Sequence, residues 1–126
     1  MISALGRAAI FLCREPTDMR KSFDSLSAVV KERLLMEPLG GAYFAFVGKD
    51  RRRCKVLHWD GTGLCVYAKR LEKGRFVAPW LSADPETGTV KLTVSELLLL
   101  LEGSEWVGRV SLSPAPLVLQ KRDAAP

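Results

Sequence analysis

The chain carries one histidine, His58, and three cysteines, Cys13, Cys54 and Cys65, among its 126 residues. A single histidine leaves Ser-His-Asp logic only one residue to use, and no G-x-S-x-G or comparable nucleophile turn accompanies it. An odd number of cysteines without C-x-x-C spacing fits reduced thiols better than a disulfide framework. Gly61-Thr62-Gly63 lacks the downstream Gly-Lys-Ser/Thr of a phosphate-binding loop. No apolar run approaches the roughly 20 residues that cross a bilayer. The first residues show no basic stretch followed by a long apolar segment, so no signal peptide is read there. These absences predict a cytoplasmic protein without membrane anchor, cofactor or catalytic centre.

What is present is an ordinary globular composition, 48% hydrophobic and 26% charged, in a length that suits one domain with a core of its own. The charge is not spread evenly. Between Lys49 and Arg75 stand nine Lys/Arg against three acids, an excess of six, while the whole chain carries only +5. The rest of the chain is therefore close to neutral, and this window alone favours a polyanionic partner, nucleic acid first.

The same window reads as a β-hairpin. Cys54–Trp59 and Leu64–Leu71 are rich in Val, Leu, Tyr and Trp, and Asp60-Gly61-Thr62-Gly63 between them tolerates the positive φ of a tight reversal. A four-residue loop sets Trp59 against Leu64, Leu57 against Val66, Lys55 against Ala68 and Arg53 against Arg70. One face is then apolar near the turn and cationic at the open end. Arg53 opposite Arg70 is either splayed into water or set to meet an anion.

Taken in order, Ala8–Cys13 reads as a buried strand ended by Arg14-Glu15-Pro16. A helix follows, with Thr17 or Asp18 as cap and Met19, Phe23, Leu26, Val30 and Leu34 as its apolar stripe, as far as about Met36. That reading puts Arg20 and Lys21 in the first turn, where each cation costs about 0.3–1 kcal/mol against the helix dipole. Either Asp24 compensates them or a bound phosphate does. Tyr43–Val47 is the next strand, and Arg75–Ala78 after the hairpin a short one closed by Pro79. The stretch 82–88 is loop, and 89–92 alternates like a strand. Thr93-Val94-Ser95-Glu96 is a capping box opening a second helix. Its five consecutive leucines, 97–101, cover every face, so other elements wrap it or a partner does.

Other sites of chemistry are thin. Alternation places Cys54, His58 and Cys65 on one hairpin face, but zinc usually takes four ligands. A half-buried face is the preferred reading, with no metal site. Asp18, Asp24, Asp60 and Asp84 sit in turns and caps and are not read as a two-metal set.

Four ordered stretches resemble a known family: Pro16–Leu26, Lys55–Cys65, Lys69–Phe76, and Leu101-Glu102-Gly103 ahead of Trp106. Together they resemble the TnpB accessory proteins of the sixty-six family of bacterial insertion sequences, a likeness spanning roughly residues 7–106. Family members often have Gly where this chain has Ser22, an aromatic at Ala68 and tryptophan at Ala78. The resemblance implies a non-catalytic role assisting a separate transposase in DNA transposition, and it brings no catalytic residue with it.

The expectation is thus an α+β fold: a small antiparallel sheet of about four to six strands, a β-meander, with two α-helices. It occupies residues 1–112 as a single domain, followed by a flexible tail over 113–126. Arg51, Arg52, Arg53, Lys55, Lys69, Arg70, Lys73 and Arg75 are expected to contact DNA phosphates without reading sequence, with Arg20 and Lys21 extending that surface. The alternative is an adaptor that binds the transposase, or other proteins of the same element, without touching DNA. A homo-oligomer is compatible with either.

Overall fold

The structure is a computed structural model and describes residues 8–81 and 87–103; most of the expected 82–88 loop and the whole C-terminal tail lie outside these. Five strands form one sheet: β1 (Ile10–Cys13), β2 (Tyr43–Val47), β3 (Arg53–Trp59), β4 (Leu64–Arg70) and β5 (Thr89–Leu92), in the order β4-β3-β2-β1-β5. Two helices accompany them, α1 (Phe23–Ala28), continued by a π-helical turn over Val29–Arg33, and α2 (Val94–Leu101). This is the small α+β fold expected. One of its four strand pairings, β1 with β2, is parallel, so the sheet is mixed. The helix between those two strands supplies the long crossover that a parallel pair requires.

β2 lies at the centre of the sheet and all five of its residues are buried. A strand covered on both faces has no use for polar alternation, which is why YFAFV is apolar throughout. On one face Phe44 and Phe46 pack with Leu57, Met19 and the α1 residues Leu26 and Val30. On the other, Tyr43, Ala45 and Val47 pack with Val56, Phe76 and the α2 residues Leu97 and Leu100. The sheet is therefore the middle of three layers. The capping box of α2 forms as read, with Glu96 N–H donating to Thr93 Oγ1 (3.1 Å) and Thr93 N–H to the Glu96 carboxylate (2.8 Å). Of the five leucines Leu97 and Leu100 are core, Leu99 and Leu101 lean on it, and Leu98 is exposed.

Two local expectations are corrected. Helix α1 starts at Phe23 behind Ser22, whose N–H donates to Ser25 Oγ (2.9 Å). It does not begin at Thr17 or Asp18, because the Thr17 N–H is taken by the Val47 carbonyl (3.0 Å) and Thr17 bridges Gly48, an extension of β2. Residues 75–78 form no strand. The Phe76 N–H bonds to the Arg51 carbonyl (2.7 Å), and the phenyl ring is fully buried on the α2 face. The chain here crosses the open end of the hairpin to fill the core.

Candidate nucleic-acid interface

The β3–β4 register is the one the loop length demands: Trp59 faces Leu64, Leu57 faces Val66, Lys55 faces Ala68 and Arg53 faces Arg70. Asp60 builds the turn. Its carboxylate accepts from the N–H groups of Thr62 and Gly63 (both 3.0 Å) and from the Cys65 thiol, and these bonds hold its pKa down at about 2. At the turn end, Leu64 and Val66 pack toward α1. Charge collects at the other end.

There the ten cations take three different positions. Three are turned inward. Arg51 Nε donates to the Phe76 carbonyl (2.8 Å), Lys55 Nζ to the Lys21 carbonyl just ahead of α1 (2.7 Å), and Lys69 Nζ to the Leu101 carbonyl at the end of α2 (2.7 Å). A cation at a helix C-terminus satisfies an orphan carbonyl and the negative end of the dipole. Lys69 therefore lies on the α2 face, across the sheet from Arg53, Lys55 and Arg70. Three more meet exposed carboxylates: Arg20 with Asp18 (2.6 Å), Arg53 with Asp50 (3.3 Å) and Arg70 with Glu72 (3.4 Å). The side chains of the remaining four, Lys21, Arg52, Lys73 and Arg75, make no hydrogen bond or ion pair among the described residues.

The fork-like contact of Arg20 with Asp18 lowers that carboxylate's pKa, and it replaces the expected compensation by Asp24. Because α1 begins only at Phe23, Arg20 and Lys21 precede the helix and no unfavourable dipole contact arises. Arg53–Asp50 and Arg70–Glu72 are loose and solvent-exposed, a class of pair worth about 0–1 kcal/mol. They leave the guanidinium groups available to a stronger anion.

Backbone contacts draw the outward cations together. Leu71 N–H bonds to the Arg52 carbonyl (2.8 Å), and Phe76 N–H to that of Arg51, so 51–53, 70–73 and 75 converge at one end of the ribbon. Arg52, Arg53, Arg70, Lys73 and Arg75 are all exposed there. Lys49, absent from the sequence-derived set, is exposed too and lines a shallow groove with Arg53, Asp50 and Asp18. Its place in the basic window was the available signal.

The other chemical candidates are accounted for structurally. His58 is buried and stacks flat on Tyr43, ring centroids 3.7 Å apart and planes 3° from parallel. It faces Cys65 across the ladder as read. Burial pushes the Cys54 thiol up to about 12, away from thiolate chemistry. Among the described residues no group of three or more His, Cys, Asp or Glu is placed to hold a metal ion, and no helix is long and apolar enough to cross a membrane.

The family that the chain matches is one of accessory proteins of bacterial insertion sequences. The chain belongs to the family described as IS66 Orf2 like protein, whose model matches residues 8–110. It is 40% identical over 106 residues to the uncharacterized protein y4hO of Sinorhizobium fredii, covering 84% of this chain and 89% of that one. It is 32% identical over 114 residues to the uncharacterized protein y4jC of the same organism, covering 90% and 93%. No solved structure matches the chain.

Proposed function

We propose that the protein assists its element's separate transposase by holding DNA through phosphate contacts at the open end of the β3–β4 ribbon, without reading sequence. The observation that carries this reading is Arg53 directly across the ladder from Arg70. Two guanidinium groups placed opposite each other repel, and two exposed carboxylates at 3.3 and 3.4 Å offset them only weakly. Arg52, Lys73 and Arg75 add exposed charge around that pair. Phosphate oxygens bridging the ribbon would relieve the repulsion and form charge-assisted hydrogen bonds. Lys55, Lys69 and Arg51 contribute by holding the ribbon against its neighbours.

The test is duplex binding by fluorescence anisotropy at several salt concentrations. Affinity should fall with a log–log slope of about −0.9 per phosphate neutralised, and unrelated sequences should bind alike. An Arg52→Glu, Lys73→Glu, Arg75→Glu variant should lose that binding while keeping its fold. A second reading has its own observation: Leu98 is 47% exposed on α2, an apolar side chain without cover among the described residues. Absence of DNA binding together with retention on purified transposase would establish the adaptor in place of the DNA-holding role.

A further inference from the structure

The two edges of the sheet are not alike. β5 is four residues long and carries the exposed Lys91, the usual defences of an edge. β4 is seven residues long and runs in unbroken register with β3, without a bulge. Its first five residues, Leu64-Cys65-Val66-Tyr67-Ala68, contain no charge and no proline. The next residue, Lys69, has its ammonium turned away to the end of α2. Tyr67 is 42% exposed.

The hydrogen-bond phase of the ladder fixes which groups face outward. Leu71 N–H bonds to Arg52 and Asp60 N–H to Gly63. Antiparallel pairs alternate between bonded and non-bonded, so Cys65, Tyr67 and Lys69 bond to β3, while the amides of Leu64, Val66, Ala68 and Arg70 point away from it. Among the described residues nothing pairs with them.

We propose that this edge pairs with the same edge of a second copy, antiparallel and centred on Tyr67. Only with that centre does every residue of β4 find a partner in β4 of the other copy. Val66 then meets Ala68, Leu64 meets Arg70, and all outward amides are satisfied. The two Tyr67 rings meet on the axis as a cross-strand aromatic pair. Like charges stay apart. The two Arg70 residues stand six positions from each other along the strand, roughly 20 Å, against a screening length of about 8 Å at physiological salt. The axis is perpendicular to the sheet, so both copies present their Arg53 and Arg70 side chains on the same face of the joined sheet, toward its opposite ends. The pairing stands on the edge geometry alone and does not depend on DNA contact.

Light scattering on the eluted full chain at micromolar concentration tests it, with twice the 13.9 kDa chain mass expected. Ala68→Pro removes an outward N–H and is compatible with an edge strand; it should yield a monomer with unchanged circular dichroism. In a Cys65→Ser background, Tyr67→Cys should cross-link quantitatively on oxidation, because non-bonded antiparallel pairs bring Cα atoms to disulfide distance, and Ala68→Cys should not. Should Ala68→Pro fail to fold, the cross-linking pattern decides. A monomeric wild-type chain, a folded Ala68→Pro dimer, or equal cross-linking at both positions overturns the proposal.

Discussion

The two ends of the β3–β4 ribbon are made by one alternation and serve opposite purposes. At the closed end Leu57 is buried and Leu64 and Val66 pack behind it against the α1 layer. At the open end the same face ends in Arg53 and Arg70. The difference teaches that charge on a strand has to be sorted by what each head group reaches. Lys55 and Lys69 are as cationic as Arg52 and Arg75, yet they end on backbone carbonyls and belong with the closed end in purpose. Both are half-buried, and their ammonium groups find acceptors within the fold.

The contrast can be broken first at the closed end. Leu57→Ala should cost about 2–5 kcal/mol, as full burial of a leucine implies, read as a lowered urea midpoint. A smaller loss, about 1–2 kcal/mol, is expected for Lys69→Met, which removes a charged hydrogen bond from the end of α2; its salt slope for DNA should be unchanged. Arg53→Ala with Arg70→Ala should behave in the reverse way. Stability should move by less than about 0.5 kcal/mol, while the slope of DNA affinity against salt drops by about 2. If the arginine pair lowers stability and Lys69→Met lowers the slope, the division between the two ends is wrong.

The smallest effect is in the turn. Asp60 titrates at about 2 in the fold against 3.8 for an ordinary aspartate. A depressed pKa means that the ionised form favours the folded state, so its contribution is complete above pH 3.8 and disappears as pH falls toward 2. Urea midpoints of the wild type and Asp60→Ala should therefore differ at neutral pH and converge near pH 2.

Much of this was legible in the sequence because the deciding signals are local. Asp60-Gly61-Thr62-Gly63 fixes the loop length, and loop length fixes every cross-strand partner from Arg53 to Leu64. Thr93 and Glu96 mark the start of α2 by reciprocal bonds three residues apart. The misreadings arose where a distant partner decides. Thr17 offers a good helix cap, but the end of β2 claims its N–H first. Phe76 looks like a strand residue, and its burial depends on Arg51, 25 residues away. The parallel pairing of β1 with β2 lay beyond a local reading, since strand composition does not show direction. The inward cations were missed for a similar reason: an acceptor carbonyl leaves no trace in residue type.

Arg51 shows how far such a tie can reach. Its φ is +62°, a conformation in which a side chain costs roughly 1–2 kcal/mol and glycine almost nothing. Substituting glycine would relax the backbone at this residue and, in the same step, remove the guanidinium that latches the Phe76 carbonyl. An apparently gentle replacement would then loosen an aromatic ring fully enclosed on the α2 side of the sheet, so comfort at one joint would come at the expense of the interior.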